Sequence, residues 1–192
     1  DGNGLSQISS STLANGGALT LTQLKSIGLL KTQSADDFTT DSAAAGTALA
    51  TGSKTYNRAI GVDISQKPLT NITELLSEHG FLSGCITTDK MTGATPASFY
   101  AHQKDRSDIQ EIASDLLKSK LSLFIGGGSD DFVNQNINQN FVLLEDISLI
   151  GQNKNDKVGC FVSKSSIPPV LNGRGNMLAE ATKNGLQFFR NK

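Results

Sequence analysis

The 192 residues suffice for a domain with a substantial core, since domains commonly run to about 100–200 residues, so one domain or part of one is expected. Hydrophobic residues make up 37%, charged residues 18%, and the formal net charge is −1, which describes a globular chain with no electrostatic pull toward nucleic acid or an anionic membrane. No apolar run approaches the roughly 18 residues that span a bilayer, and no leader opens the chain, which begins at Asp1 rather than Met and reads as having lost upstream sequence.

The chain opens with DGNGLSQ, residues 1–7, in which Asp1 reads locally as a turn residue. Residues 39–57, TTDSAAAGTALATGSKTYN, place an acid and a serine before a run of small residues. A helix is expected over 42–51, ended by Gly52. At its start the unpaired amides and the helix dipole favour negative charge, whether an alkoxide or a phosphate. Taken alone, Asp41 or Ser42 is more simply an N-cap worth about 1 kcal/mol, beside small residues that permit close packing. GTALATGSKT is not a phosphate-binding P-loop: five residues separate Gly46 from Gly52, and Ser53 intrudes before Lys54.

Farther on, helices alternate with strands. Residues 71–79 form a helix with Ile72, Leu75 and Leu76 on one face, Asn71 and Glu74 at capping-box spacing and Gly80 at its end. FLSGCITT, 81–88, reads as a buried strand. In GATPASFYAHQKDR, 93–106, Thr95 precedes Pro96 and reads locally as an N-cap, and Arg106 as a solvated cation. Residues 107–120 carry an apolar stripe of Ile109, Ile112, Ala113, Leu116 and Leu117, with Ser107 and Gln110 at capping spacing. LSLFIGGG, 121–128, is strand and turn, and 126–150 a long polar excursion. KVGCFVS, 157–163, is a strand, and 177–189 a helix offering Met177, Leu178, Ala181, Leu186 and Phe189 to one buried side. Cys85 and Cys160 lack any paired spacing and are expected as buried free thiols, with one disulfide as the alternative. His79 is expected at the surface and His102 in a packing role. The alternation implies an α/β sheet covered by helices on its faces, with ligands at the carboxyl ends of the strands.

Taken together, TDSAAAGTALATGSKTYNRAIGVD at 40–63, DGNGLSQ at 1–7, GATPASFYAHQKDR at 93–106 and IGGG at 125–128 resemble the alkaline phosphatases, in the family's order. The resemblance implies a three-layer α/β/α sandwich with a largely parallel central sheet, here incomplete at both ends, so that residues 1–192 form part of a catalytic domain. It implies hydrolysis of phosphate monoesters through a phosphoserine, with two Zn2+ and one Mg2+ as cofactors. Asp1 matches the carboxylate between the second zinc and the magnesium. Ser42 matches the zinc-coordinating nucleophile, and Thr95 a magnesium ligand. Arg106 matches the phosphate clamp and Asp41 the residue that orients it. Gly93 departs from the pattern, because relatives often carry an acidic residue or histidine there, near the magnesium. The family's remaining zinc ligands are expected beyond Lys192, and the isolated segment is expected to be inactive. Inorganic phosphate as ligand, a homodimer and a periplasmic or secreted location complete the implication, with no specific binding to nucleic acid or membrane. The alternatives are an inactive phosphate-binding or structural module, and a related phosphodiesterase or sulfatase.

Overall fold

In the computed structural model, which describes residues 2–192, a parallel sheet runs in the order β1-β2-β4-β3, from β1 (Gly84–Lys90), β2 (Leu123–Gly127), β3 (Val142–Leu143) and β4 (Val158–Ser163). Six α-helices accompany it among the described residues: α1 (Leu5–Ala14), α2 (Ser42–Thr51), α3 (Ile72–Glu78), α4 (Ala94–Ala97), α5 (Ile109–Lys118) and α6 (Met177–Arg190). The chain divides into two units, Asp1–Thr32 and Gln33–Lys192. The first contains α1, which buries none of its side chains; at its start the Gln7 side-chain carbonyl accepts the Gly4 N–H at 3.0 Å.

In the second unit, the alternation of side chains along β2 divides the core in two. Phe124 joins Ala43 of α2, Ala97 of α4, and Ile112 and Leu116 of α5. Leu123 and Ile125 point the other way, to Val158, Cys160, and Ala181 and Phe188 of α6. Helices therefore cover both faces of a parallel sheet, the three-layer sandwich expected. Each large side chain buried this way contributes about 1.5–3 kcal/mol relative to its exposed state. Every residue of β2 is buried, which is why a short continuous apolar run served as its signal.

Several local expectations are corrected. The strand expected over 81–88 begins at Gly84; Phe81 and Leu82 are exposed, and β1 itself is only half-buried because it forms one edge of the sheet. The apolar face assigned to α3 lies outward, with Ile72 and Leu75 exposed, while Thr73 turns inward and donates its hydroxyl to the Phe99 carbonyl at 2.9 Å. On α6 the buried line is Ala181, Gly185 and Phe188, with Met177 and Phe189 packed against it; Leu178 and Leu186 are exposed. Gly185 faces the sheet because a Cβ there would meet Ile86 at 2.8 Å and Leu123 at 3.1 Å. The polar excursion over 126–150 is not wholly polar. It buries Phe132, Ile137, Phe141 and Ile150, stacks Phe124 edge-on to Phe141 with ring centroids 5.0 Å apart, and contributes β3. Both cysteines are free, Cys160 buried and Cys85 half-buried; burial pushes their thiols up, to about 11 and about 12.

Candidate active site

The start of α2 is capped by Asp41, whose Oδ1 accepts the Ala44 N–H at 2.9 Å. Ser42 is thus the first helical residue rather than the cap, and sits where the dipole's positive end is strongest. Asp41 is in turn held by the segment after the helix. Its N–H is donated to Asn57 Oδ1 at 2.8 Å, and Asn57 Nδ2 donates to the Thr39 carbonyl at 2.9 Å. Tyr56 donates its hydroxyl to the Lys104 carbonyl at 2.9 Å, and Lys54 reaches the Gln33 carbonyl. Within the KTYN stretch, Asn57 is thus the buttress of the α2 start, while Tyr56 and Lys54 tie the stretch to other segments.

The second carboxylate oxygen of Asp41 gathers two arginines. Arg58 donates its backbone N–H to Asp41 Oδ2 at 3.1 Å, and Arg106 donates Nη1–H to the same oxygen at 3.3 Å. Arg58 adopts φ +79°, a left-handed conformation uncommon for a residue with a Cβ. That turn also lets its carbonyl accept the Arg106 N–H at 2.8 Å. Its guanidinium meets Asp105 with two bonds, at 2.7 and 2.8 Å, and donates to Ser107 Oγ at 2.6 Å. The Arg58 guanidinium and the Ser107 N–H hold the Asp105 carboxyl well below its usual range. The helix expected over 107–120 therefore starts later, at Ile109, with Asp108 as N-cap and no side-chain cap; the Ser107 hydroxyl serves Arg58 instead.

Thr95 lies in α4, whose N-cap is Gly93, so Thr95 is inside the helix and not its cap. Helix α4 packs against α2 where Gly46 leaves room. A Cβ at Gly46 would stand 2.7 Å from Ser98 Oγ and 3.6 Å from the Thr95 Cα. The Ser98 hydroxyl bonds the Ala94 carbonyl at 2.8 Å and faces the Ala43 carbonyl at 3.4 Å, so α4 sits beside the first turn of α2. A cleft of about 330 Å3 opens alongside, lined by Gly93 and Ala94 before Thr95, by Arg58, Arg106 and Ser107, and by Lys90 and Thr92 at the end of β1. Lys90 Nζ pairs with Asp131 at 3.1 Å, and Thr92 Oγ1 donates to the same carboxylate at 2.5 Å. The cleft thus lies at the carboxyl end of β1, where such sheets hold their ligands.

Among the residues singled out from sequence, Asp41 and Arg106 are in direct contact, Ser42 adjoins Asp41 in the chain, and Thr95 follows Gly93 and Ala94, which line the cleft, without lining it itself. Asp1 lies outside the described residues. His102 is structural: Nδ1 faces the Gly61 carbonyl at 2.8 Å and Nε2 the Glu74 carboxylate at 3.0 Å. His79 is exposed at the end of α3. The sequence reading passed over Arg58, Asp105, Lys90, Thr92 and Asp131. The charged pairs KD at 104–105 and DK at 89–90 were the only signals, and neither has a period or motif.

Comparison with known proteins bears on the family and the fold. The alkaline phosphatase family model matches residues 4–167. Alkaline phosphatase 4 of Bacillus subtilis is 42% identical over 99 residues, 48% of this chain and 22% of that protein. The repressible alkaline phosphatase of Saccharomyces cerevisiae is 39% identical over 114 residues, 57% of this chain and 20% of that protein. The structure of alkaline phosphatase from the Antarctic bacterium TAB5 superposes with a TM-score of 0.91 at 39% identity, covering 98% of this chain and 59% of that one; a variant of it is described with Mg bound in its M3 site. The aligned region is thus about a fifth of the curated relatives' length. With the sandwich, the capped serine helix and the clasped arginine in place, a family match over most of its length assigns the chain to the alkaline phosphatase family.

Proposed function

We propose that the protein hydrolyses phosphate monoesters, with Ser42 as nucleophile and Arg106 as the clamp on the phosphoryl group. The observation that carries this reading is that one carboxylate, Asp41, both caps the serine helix and holds Arg106. Fixing nucleophile and clamp on one group keeps them in register, and misplacement by about 1 Å can cost a hundredfold in rate. Arg106 gives one nitrogen to Asp41 and keeps donors for two phosphoryl oxygens, the geometry that suits a planar guanidinium. Ser42 Oγ forms a bond to phosphorus as the ester P–O bond breaks, and the leaving alcohol takes the proton. Water then forms a bond to phosphorus, the Ser42 Oγ–P bond breaks, and inorganic phosphate leaves. The α2 dipole favours the alkoxide and the charge that grows on the phosphoryl oxygens.

Hard oxygen donors suit magnesium. Thr95 supplies a hydroxyl, and a carboxylate oxygen of Asp89 lies over Gly93, where an added Cβ would stand 2.2 Å from it. The donors at the end of β1 and the start of α4, one carboxylate and one hydroxyl, are of the type Mg2+ prefers. Among the described residues no group of three or more His, Cys, Asp or Glu side chains is gathered for either metal, and toward zinc the resemblance offers only Ser42. A bound divalent ion supplies positive charge that lowers the pKa of a hydroxyl or a water. The family resemblance also supports a homodimer and a periplasmic or secreted location. No helix among the described residues is long and apolar enough to cross a membrane.

Acid-quenching the full-length protein during turnover of a labelled monoester should trap a phosphoenzyme that Ser42→Ala abolishes. Label retained in the variant would refute Ser42. Rates on a monoester, a diester and a sulfate ester should favour the monoester, and preference for either of the others would move the protein to a neighbouring class.

A further inference from the structure

Asp89, at the end of β1, holds a carboxylate that its own strand only half uses. Its Oδ1 accepts the Lys90 N–H at 2.7 Å, and its backbone N–H is donated to Thr87 Oγ1 at 3.0 Å. The first of these bonds holds the side chain through Oδ1, and the second holds only the backbone. Oδ2 accepts no hydrogen bond among the described residues. Lys90 does not neutralise it either, because the Lys90 ammonium is taken by Asp131.

The unused oxygen lies over Gly93. A Cβ built on Gly93 would stand 2.2 Å from Asp89 Oδ2 and 2.7 Å from its Cγ, with the Lys90 carbonyl at 3.0 Å. Real non-bonded carbon and oxygen atoms do not approach so closely, so with a side chain at position 93 the Asp89 carboxylate would have to turn away from where it stands. The Asp89 carboxyl fills the volume that the first atoms of a side chain at 93 would fill. Position 93 is also where the family resemblance expects an acidic residue or histidine near magnesium, and this chain has glycine there.

We propose that Asp89 supplies from the end of β1 the magnesium-site carboxylate that position 93 lacks, standing in the space a side chain at Gly93 would take. The proposal rests on the metal-dependent reading above. It exchanges the position that provides the carboxylate while keeping the place and the charge.

The test is calorimetric titration of the metal-stripped full-length protein with Mg2+. Asp89→Ala should weaken Mg2+ binding about 10- to 100-fold. Asp89→Asn, which keeps the shape and the acceptor for the Lys90 N–H, should weaken it comparably, separating charge from folding. Gly93→Ala, with Asp89 intact, should also weaken it by displacing the carboxylate. The double variant Asp89→Ala/Gly93→Asp should recover most of the affinity. Unchanged Mg2+ affinity in both Asp89→Ala and Asp89→Asn would overturn the proposal, as would a double variant no better than Asp89→Ala. If the parent binds Mg2+ and forms the Ser42 phosphoenzyme while the Asp89 variants bind normally, this inference alone falls. If the parent binds no Mg2+, the magnesium reading falls with it.

Discussion

The helix starts at Asn71 and at Ser107 carry the same sequence signal, a short polar residue followed three positions later by Glu or Gln, yet only one forms a capping box. Asn71 Oδ1 accepts the Thr73 and Glu74 N–H groups at 3.0 and 3.1 Å, and Glu74 Oε2 accepts the Asn71 N–H at 2.9 Å. At Ser107 the hydroxyl is drawn to the Arg58 guanidinium at 2.6 Å, and the helix begins later without a side-chain cap. Hydrogen bonds from a charged donor are roughly twice as strong as neutral ones, so the cap loses the contest wherever an arginine is within reach. A capping signal is therefore one claim on a side chain among several. It wins at Asn71, where the side chain is fully buried and the nearby His102 takes the other oxygen of Glu74, leaving the box intact.

The largest expected effect is at the winning site. Asn71→Ala removes the acceptor for two helix N–H groups, those of Thr73 and Glu74, in a buried setting. Loss of a cap together with newly unsatisfied buried donors should cost about 2 kcal/mol. For a chain of this size that is a fall in Tm of about 4–8 °C, measurable by thermal unfolding. A change within a degree would mean the box contributes little and the comparison is empty.

The same contrast explains how much could be read in advance. The sheet and the helices that cover it were legible because burial leaves a period in the sequence, as in the all-buried β2 and the Ile112, Ala113 and Leu116 stripe of α5. Alpha6 was misread because its buried line includes Gly185, which no hydrophobic count selects, while Leu178 and Leu186 face outward. Asp41, Ser42, Thr95 and Arg106 were singled out only through motifs in order, and of these the structure brings Asp41 and Arg106 into direct contact. Arg58, Asp105 and Asp89 act through partners far along the chain or through an empty volume, and the left-handed turn of Arg58 has no glycine to announce it.

The Asn71 corner also carries a proton-linked strut. Burial of His102 disfavours its charge, but the Gly61 carbonyl and the Glu74 carboxylate outweigh burial and raise its pKa above 6.5. Both ring nitrogens face acceptors, an arrangement only the imidazolium satisfies fully. The stabilisation is thus fully present below 6.5 and is lost as pH rises through the folded-state value. Urea unfolding across pH should show His102→Gln less stable than the parent at low pH, with the gap closing as pH rises. A gap independent of pH would show that neutral His102 holds the corner equally well.

At the losing site, Arg58→Ala should release Asp105, whose carboxyl should titrate upward toward 3.8 when followed by NMR. An Asp105 titration that does not move would place its stabilisation in the Ser107 N–H alone. The start of α3 should be unaffected, because it shares no partner with Arg58.

The smallest effect is the most discriminating. If Ser107 serves Arg58 rather than the helix, Ser107→Ala in the parent should change stability by no more than about 0.5 kcal/mol, the usual range for a substitution near the surface. In the Arg58→Ala background the hydroxyl no longer has its charged donor and is free to cap the helix, with Gln110 at the spacing that completes a box. There Ser107→Ala should cost about 1 kcal/mol, as at an ordinary cap. Equal effects in the two backgrounds would show that the Arg58 contact is not what suppresses the cap, and that the backbone between Asp105 and Ile109 decides where α5 begins.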